Sequence, residues 1–384
     1  MEYVKLKDIT TKITKGTTPS NIGASFTDEG INYFRSEMLG KAKYLDKSSG
    51  MMFISESTHN KLKRSQIEAN DILFSMAGIY LGKLAIVKDE DVPANTNQAV
   101  ALIRFNKGVN IDYLYYFMVQ KSFNAYVNCM SAQAAQPNIN LKQIGNLQIA
   151  LPTDEQQKRI ADILSAYDNL IENNNKRIHL LERMAESLYK EWFVRFRFPG
   201  YECVEFENGL PKDWEYTKLE RLANISTGKC NREDAEEDGA YPLFDRSQEI
   251  KRSNVWLKDC EAIIVPGEGT SFIPRYYNGK FNLHQRCYCV EPLEKGMGFF
   301  LYQTLMMYRI YFLYVATGAT VPSLRLNNFN DFKFLLPKKE LCFQYNEIAE
   351  KMNDEILLLQ NKNEFLAKQR DMLLPRLMSG KLEV

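Results

Sequence analysis

Two long segments of the chain repeat apolar residues at alternating steps of four and three, which is the spacing of a coiled-coil seam. The first seam consists of Ile160, Leu164, Tyr167, Ile171, Asn174, Ile178, Leu181, Ala185, Leu188 and Trp192. The second consists of Tyr345, Ala349, Met352, Ile356, Leu359, Asn363, Leu366, Arg370, Leu373 and Leu377. Each segment predicts a helix of about 40 residues, roughly 60 Å long, whose apolar face needs a partner.

The ends of these helices carry their own signals. Thr153 and Gln156 have the spacing of a capping box at the start of the first helix. Pro375 lies inside the second seam and predicts that this helix kinks or stops early in its last turn. Gly380 is the expected stop just beyond.

Each seam contains one asparagine, and the two asparagines predict how the helices pair. An antiparallel pair with full overlap places Asn174 opposite Asn363 and Tyr167 opposite Arg370. A parallel pair would place each asparagine against Leu359 or Ile178, where its amide group would lack hydrogen-bond partners. We therefore predict an intramolecular antiparallel pair in which the two asparagines meet. Two solvated asparagines in loosely packed helices are the alternative.

The segments that precede the two helices repeat each other. Helical segments at 111–130 and 299–315 are followed by Gln136-Pro137-Asn138-Ile139 and by Val321-Pro322-Ser323-Leu324. Ile149-Ala150-Leu151-Pro152 then matches Phe334-Leu335-Leu336-Pro337 at the same offset of about 185 residues. Earlier in each copy, strand-like runs alternate with turns. A repeat of this length indicates two copies of a domain followed by a helix.

The predicted fold is therefore α+β, with two globular α/β domains joined by two long helices that form an intramolecular antiparallel coiled coil. The repeat predicts pseudo-twofold symmetry and a dumb-bell shape. The predicted boundaries are 1–152 for the first domain, 153–195 for the first helix, 196–216 for a linker, 217–337 for the second domain and 338–384 for the second helix and tail.

Charge and composition exclude few classes of protein. The net charge is +1, but residues 1–152 have 17 Lys and Arg against 13 Asp and Glu, while the remainder has 32 against 35. Seven scattered cysteines favour reduced thiols over disulfides or zinc sites. The start of the chain shows no signal-peptide pattern, and the apolar run 299–316 is interrupted by Gln303 and Arg309. We expect a cytoplasmic protein without a membrane span.

The sequence contains no convincing catalytic constellation. It lacks a phosphate-binding glycine motif of either common type. His59, His179 and His284 are dispersed, and no nucleophile has an obvious base beside it. The Asn-Pro-Pro-Tyr and Asp-Pro-Pro-Tyr motifs of adenine methyltransferases are also absent. We expect a non-catalytic protein that holds no metal.

The chain resembles the specificity (S) subunit of type I restriction–modification systems. The resemblance covers the whole chain in the family's order. It is most specific at the loop that begins with Gln136-Pro137-Asn138, at the helix start Leu151-Pro152-Thr153-Asp154-Glu155-Gln156, and at the segment Leu188-Tyr189-Lys190-Glu191-Trp192-Phe193. The linker 209–215 and the ending 373–382 are also similar to the family's. The second copy departs from the pattern at 337–342, where Glu-Gln is missing and the helix start is less securely capped.

The resemblance implies a function for each part of the molecule. Each globular domain would be a target recognition domain that reads one half of an asymmetric bipartite site in double-stranded DNA. The helices would set the spacer and dock two modification subunits, which bind S-adenosylmethionine and methylate adenine. Restriction subunits, with ATP and Mg²⁺, would join the complex in host defence. The S subunit itself would bind no cofactor and would have no catalytic activity.

Residues that can read bases or bind phosphates are clustered in loops. In the first domain the candidates are Lys12, Lys15, Thr17, Thr18, Arg35, Ser36, Lys61, Lys63, Arg64, Ser75, Gly78, Tyr80, Asn95, Asn97 and Gln98. We match them in the second domain with Lys229, Asn231, Arg232, Arg246, Ser247, Lys251, Arg252, Gly269, Thr270, Ser271, His284, Gln285 and Arg286. A solvated surface charge or a loop-capping group is the alternative for each one.

Two other functions are compatible with the sequence. A helical scaffold whose end domains bind proteins would share the coiled coil, and DNA-binding assays with and without modification subunits distinguish it from a specificity subunit. A methyltransferase with unrecognised motifs would bind S-adenosylmethionine by itself.

Overall fold

The computed structural model describes residues 2–131, 137–318 and 320–383. The chain divides into two compact units. Unit 1 consists of Met1–Asn174 and Gln360–Val384, and unit 2 consists of Asn175–Leu359. Each unit therefore contains one globular domain together with part of each long helix.

The described residues of unit 1 form two four-stranded sheets and a two-stranded ribbon. Its strands are β1 (Glu2–Lys5), β2 (Thr10–Lys15), β3 (Phe26–Thr27), β4 (Ile31–Phe34), β5 (Met52–Ile54), β6 (Ile72–Ser75), β7 (Leu84–Ile86), β8 (Ala94–Thr96), β9 (Val100–Phe105) and β10 (Gln148–Leu151). The strand orders are β2-β9-β6-β7, β3-β5-β4-β8 and β1-β10. The short helices are α1 (Glu56–Lys61), α2 (Ile111–Met118), α3 (Lys121–Ser131) and α4 (Leu141–Gly145). The helix predicted over 111–130 is thus two helices, α2 and α3.

The long helices are α5 (Asp154–Tyr189) and, at the end of the chain, a 40-residue helix over Lys339–Met378. The predicted capping box is present, since Thr153 N donates to Gln156 Oε1 at 3.3 Å and Gln156 N donates to Thr153 Oγ1 at 3.4 Å. A π-helical turn, Lys190–Val194, follows α5.

In unit 2, the part of the chain that the structure describes forms one six-stranded sheet and two ribbons. Its strands are β11 (Phe206–Glu207), β12 (Leu210–Pro211), β13 (Glu215–Lys218), β14 (Ala223–Thr227), β15 (Tyr241–Phe244), β16 (Lys251–Ser253), β17 (Lys258–Pro266), β18 (Arg275–Leu283), β19 (Cys287–Pro292) and β20 (Lys333–Leu336). The orders are β14-β19-β17-β18-β15-β16, β11-β12 and β13-β20. Its helices are α6 (Gly298–Met307), α7 (Arg309–Val315) and α8 (Leu326–Asn330), and the helix over Lys339–Met378 is α9. The helix predicted over 299–315 is broken at Tyr308.

The seams of the long helices complete the core of each unit. In unit 1, Ile160 and Leu164 of α5 and Leu377 of α9 lie in one buried cluster with sheet and α2 residues. In unit 2, Tyr189 of α5 and Tyr345 of α9 lie in a buried cluster that is rich in aromatic residues. All twenty seam positions are buried or half-buried, so the heptad pattern identified the packed face correctly.

The helix pairing is antiparallel within each unit. In unit 1, Asn174 Nδ2 donates a hydrogen bond to Asn363 Oδ1 at 2.8 Å, which is the predicted register. Arg370 forms an ion pair with Asp168, the residue that follows Tyr167. In unit 2, Tyr345 donates to the carbonyl of Ala185 at 3.1 Å.

Pro375 does not end α9 early. The helix continues through the proline to Met378, and Gly380 adopts a left-handed φ of 70° just beyond it. Pro375 is exposed, so water can reach the carbonyl that the missing proline N–H leaves unbonded. None of the described helices combines the length and apolarity that crossing a bilayer requires.

Candidate nucleic-acid interface

Three candidate loops of unit 2 meet at one junction. The loop after β14 donates backbone hydrogen bonds from Lys229 N and Cys230 N to Leu283 O at 3.1 and 3.2 Å. The loop after β18 is joined to the end of β15, where His284 N donates to Phe244 O at 2.9 Å. Sequence segments about 55 residues apart therefore form one surface, and Gln285 Nε2 closes it with a 2.7 Å bond to Asn231 Oδ1.

Glycine is required where the first of these loops crosses the second. A Cβ atom at Gly228 would lie 1.9 Å from the carbonyl oxygen of Leu283. Unit 1 has the same crossing, where a Cβ atom at Gly16 would lie 1.8 Å from the carbonyl oxygen of Thr96. No side chain fits at such a distance, so both junctions depend on the same residue type.

Unit 1 repeats part of the hydrogen bonding of this junction. Thr17 N donates to Thr96 O at 3.0 Å, and the hydroxyl of Thr18 donates to Gln98 Oε1. Gln98 therefore corresponds to Gln285, each tying its own loop to the loop that carries the glycine. The predicted match between the 97–98 region and 284–286 is correct.

The loops that contain Pro137 and Pro322, which we call the proline loops, support the turns that carry Gly78 and Gly269, respectively. Gly78 N donates to Pro137 O at 3.1 Å, and Gly269 N donates to Pro322 O at 3.0 Å. Ile139 and Leu324 make the next matching pair, donating to Met76 O at 2.9 Å and Gly267 O at 2.8 Å. The predicted offset of 185 residues is thus reproduced bond by bond. Residues 132–136 of the first proline loop, including Gln136, lie outside the described residues.

Asn97 and His284 stabilise equivalent turns. Asn97 Oδ1 accepts a hydrogen bond from Ala99 N at 3.0 Å, and His284 Nδ1 accepts one from Arg286 N at 3.0 Å. An accepting Nδ1 carries no proton. Burial lowers the pKa of His284, and the charge of Arg246 lowers it further, so the neutral ring is favoured. His284 is buried and acts within the turn, as a loop-capping residue.

Glu268 joins two candidate arginines. Its carboxylate accepts a hydrogen bond from Arg246 Nη1 at 2.5 Å and another from Arg286 Nη1 at 2.8 Å. The Glu268 side chain is only 17% exposed, whereas those of Arg246 and Arg286 are 46% and 54% exposed. Glu268 was not among the residues that the sequence predicted. Its position between Gly267 and Gly269, in a turn matched with that of Gly78, was the available signal.

Asp245 organises the backbone beside these arginines. Its carboxylate accepts from Ser247 N at 2.8 Å and from Lys251 Nζ at 2.5 Å. Burial acts to raise the pKa of Asp245, but the hydrogen bonds from Lys251 and Ser247 outweigh it and lower the pKa to about 2. Arg252 is also engaged, because its Nε donates to Gly239 O at 2.8 Å. Ser247, Lys251 and Arg252 therefore stabilise the loops.

The predicted match of Arg35-Ser36 with Arg246-Ser247 is wrong by one residue. The parallel pairing of β4 with β8 places Phe34 beside Thr96, and that of β15 with β18 places Phe244 beside Leu283. Arg35 thus corresponds to Asp245, and Ser36 to Arg246. The shared Arg-Ser dipeptide suggested the wrong alignment, because side-chain identity does not fix strand register.

Unit 1 presents a group of unpaired cations. Lys15, Lys61, Lys63 and Arg64 are exposed and Lys12 is half-buried. None of these five forms an ion pair with a described residue. The turn Lys63–Ser65 packs beside β2, which carries Lys12 and Lys15. We call these five residues the basic group. Arg35, in contrast, is half-buried and pairs with Glu37 at 3.0 Å.

Two further candidates of unit 1 are fully buried. Ser75 lies at the end of β6, and Asn95 lies in β8. Asn95 Nδ2 donates to Leu62 O at 3.3 Å and to Ser65 Oγ at 3.2 Å. It thereby positions the turn that carries Lys63 and Arg64.

The remaining candidates lie around the junctions. Tyr80 is half-buried, with Lys83 Nζ 4.9 Å from the centre of its ring. Lys229, Thr270 and Ser271 are exposed. The Arg232 side chain lies outside the described part of the structure.

The described residues contain no group of His, Cys, Asp and Glu side chains that could hold a metal ion. All seven cysteines are free thiols.

Comparison with known proteins identifies the family. The model of the type I restriction modification DNA specificity domain matches residues 1–183 and 211–366, and the chain belongs to this family. It is 26% identical over 406 residues to the type I restriction enzyme MjaIX specificity subunit of Methanocaldococcus jannaschii, covering 99% of this chain and 93% of that protein.

Two further similar proteins agree with this family assignment. The EcoDI specificity subunit of Escherichia coli is 31% identical over 180 residues, covering 45% of this chain and 39% of that protein. The crystal structure of the type I restriction-modification S subunit from M. genitalium matches with a TM-score of 0.59 at 15% identity, covering 98% of this chain and 95% of that one, which shows a shared fold. Members of the family are non-catalytic specificity subunits that take part in DNA sequence recognition and assemble with other subunits.

Proposed function

We propose that this chain reads an asymmetric, bipartite site in double-stranded DNA, with one globular domain on each half-site. The two long helices set the spacer between the half-sites. They also dock two modification subunits, which bind S-adenosylmethionine and methylate adenine. Restriction subunits that use ATP and Mg²⁺ join the same assembly. This chain contributes sequence recognition and no catalysis.

One observation carries this proposal. The two domains have the same type of loop junction, with the same glycine crossing and several matching backbone hydrogen bonds, but different side chains project from it. Ser36, Ala77 and Ala99 of unit 1 stand where unit 2 has Arg246, Glu268 and Arg286. A common scaffold with different reading groups is suited to two different half-sites, because base edges are distinguished by their donor and acceptor patterns.

The basic group supports an interface with the phosphate backbone. Lysine and arginine side chains without internal partners can neutralise phosphates and release condensed counterions. Lys15, Lys63 and Arg64 are exposed on neighbouring elements. Asn95 fixes the turn that carries two of them, so their positions are set before DNA binds. Such contacts give affinity and orientation, while the junction loops supply sequence preference.

Docking of two identical subunits is supported by apolar residues that recur in both copies. Tyr3 of β1 and Tyr216 of β13 are 67% and 66% exposed at matching places in the ribbons β1-β10 and β13-β20. Leu180 and Phe365 are 55% and 67% exposed and are separated by 185 residues. Exposed apolar side chains that recur in this way suit a partner that binds each copy of the repeat.

Electrophoretic shift and methylome sequencing test the proposal together. We expect the complex of this chain with its modification subunits to bind duplex DNA, and a strain that expresses both to methylate adenines in one two-part motif with a fixed gap. Loss of methylation upon deletion of this chain is the control. A complex without preference for any sequence, or a continuous motif without a gap, would contradict the proposal.

A further inference from the structure

The cluster of Arg246, Glu268 and Arg286 has no equivalent in unit 1, and the loop-capping contacts of the junction do not explain it. We propose that Glu268 is a positioning residue that determines base specificity, because it aims Arg246 and Arg286 at guanine in the half-site of unit 2. The inference rests on the proposed function. It adds the residue that sets the preference and the base that is read.

The geometry places the carboxylate behind the two guanidinium groups. Each oxygen of Glu268 accepts one hydrogen bond, from Arg246 at 2.5 Å and from Arg286 at 2.8 Å. Glu268 is mostly shielded while both arginines are about half exposed. The outer parts of the guanidinium groups therefore face solvent, where a ligand can reach them.

The backbone that carries these side chains is fixed on several sides. Gly267 N donates to Arg286 O at 2.8 Å, and His284 accepts from Arg286 N. Glu268 forms a backbone bridge to Ser323 in the proline loop. Long arginine side chains lose much conformational freedom upon ordering. Because Glu268 lies on a fixed turn and holds both arginines in the free protein, this loss of conformational entropy occurs before DNA binds.

The donor count favours guanine. An arginine has five N–H donors, and each of these arginines uses one of them on Glu268. Enough donors remain for a bidentate contact with O6 and N7 of guanine, which is the commonest specific contact of arginine in the major groove. A carboxylate can instead accept from cytosine N4, but here both oxygens of Glu268 already accept from arginine.

The charge of the cluster argues against simple phosphate binding. Glu268 reduces the charge of the three residues to +1 and would lie close to the DNA backbone. A site selected only for phosphate affinity gains nothing from a carboxylate there, because phosphate attraction depends on positive charge. Holding two arginines at a base edge gives the carboxylate a function, since orientation is what discriminates one base from another.

The matching positions of unit 1 supply a natural comparison. Ala99 and Ala77 occupy the places of Arg286 and Glu268, since Met76 N donates to Ala99 O at 2.8 Å and Ala77 forms a bridge to Asn138. The shared backbone thus accepts alanine at the position of Glu268. Glu268→Ala should therefore fold, and its effects on DNA binding can be read without a collapse of the turn.

The test uses the complete complex with its modification subunits and DNA that carries the methylome-derived motif. Each guanine of the unit 2 half-site is replaced in turn by 7-deazaguanine, which lacks the N7 acceptor. We expect the wild-type complex to lose about tenfold in affinity at one or two of these positions, as for a lost bidentate contact. In Glu268→Ala the loss at these positions should fall below about threefold, while affinity for non-specific DNA is kept or increases.

Two more variants isolate the mechanism. Arg286→Lys keeps the charge but lacks the planar fork, so it should retain non-specific affinity and lose the 7-deazaguanine effect. Glu249→Ala removes the same charge from the neighbouring exposed loop and should leave the effect at the wild-type value.

The outcomes separate this inference from the proposed function. A bipartite motif whose unit 2 half-site contains no guanine, or shows no 7-deazaguanine effect, would overturn the guanine-reading role of the two arginines. The proposed function would be unaffected by that result. Equal weakening on all sequences by Glu268→Ala would overturn the positioning role. A wild-type complex that reads no bipartite site at all would instead contradict the proposed function.

Discussion

Units 1 and 2 build the same loop junction on different sheets. Unit 2 has one six-stranded sheet, in which β18 runs unbroken from its pairing with β17 to its pairing with β15. In unit 1 the matching stretch is divided into β7 and β8, and these lie in separate four-stranded sheets. The crossings at Gly16 and Gly228 and the contacts to the proline loops are nevertheless the same. The constant part of the domain is thus the junction, and the strands beneath it can vary.

The electrostatic design of the two junctions differs more than their backbone. Unit 1 presents unpaired cations, whereas unit 2 ties Arg246 and Arg286 to Glu268 and ties Lys251 to Asp245. Unpaired cations are suited to phosphates, and paired arginines are suited to oriented contacts. The comparison shows how one scaffold can vary both affinity and base preference through side chains alone.

Substitution at the glycine crossing should have the largest effect. We expect Gly16→Val to lower the free energy of unfolding of unit 1 by about 4 kcal/mol, because its Cβ would overlap a backbone carbonyl. Gly228→Val should act in the same way on unit 2. All three tryptophans, at 192, 214 and 256, lie in unit 2, so tryptophan fluorescence during urea unfolding follows unit 2, while circular dichroism follows the whole chain.

The control for this comparison is Gly145→Ala. A Cβ at Gly145, the last residue of α4, would make ordinary contacts of 3.4 Å or more with the side chains of Lys7 and Ile13, so stability should be unchanged or slightly higher. If Gly16→Val unfolded like the wild type, the close approach at the crossing would not be a requirement of the junction.

Breaking the ion pair of the helices in unit 1 should have the next largest effect. Asp168 is buried and accepts hydrogen bonds from Tyr116 and Arg370, whereas unit 2 joins its two helices by the uncharged bond from Tyr345 to the carbonyl of Ala185. Asp168→Ala should destabilise unit 1 by about 3 kcal/mol, since Arg370 loses its buried partner. Urea unfolding measured by circular dichroism checks this value.

Two variants make this second comparison sharper. The double change Asp168→Leu with Arg370→Met should recover most of the stability lost in Asp168→Ala, because two apolar side chains leave no buried charge without a partner. Asp162→Ala, on an exposed position of the same helix, should have little effect. Equal losses for Asp162→Ala and Asp168→Ala would mean that the ion pair contributes nothing specific.

The basic group should govern affinity without governing preference. Lys63→Gln combined with Arg64→Gln should weaken the complex about tenfold on every sequence and reduce the salt slope of binding by about 2. Titrations at several salt concentrations, on specific and non-specific duplexes, measure both quantities. A loss confined to the specific duplex would mean that these residues contact bases and not phosphates.

The smallest effect concerns pH and belongs to unit 2. The folded-state pKa of Asp245 is lowered to about 2, below its ordinary 3.8. Its stabilisation is therefore present above pH 3.8 and is lost as the pH falls toward 2. Asp245→Asn should make unit 2 less stable at neutral pH and less sensitive to acid between these values, as followed by tryptophan fluorescence. Unit 1 has Arg35 at the matching position, so the acid sensitivity of its stability should be the same in Asp245→Asn as in the wild type.

The sequence by itself determined the parts of the molecule that depend on periodicity. The heptad steps identified the packed faces of α5 and α9, because burial of an apolar stripe repeats with the helix. The two asparagines fixed the register, since a buried amide needs a partner that hydrogen-bonds it. The offset of 185 residues matched Pro137 with Pro322 correctly, because equal loop lengths lie between them and the helices.

Only the tertiary structure decided which of the candidate residues lie together and what each one does. Glu268 became visible as a link between Arg246 and Arg286 because three loops, distant in sequence, meet at the junction. Asn95 and His284 have the polarity of base-reading residues, yet both are buried and stabilise turns. The alignment of Arg35 with Asp245 followed from strand register. Polar residue types reveal the capacity to form hydrogen bonds, but the partner is chosen by contacts that the fold creates.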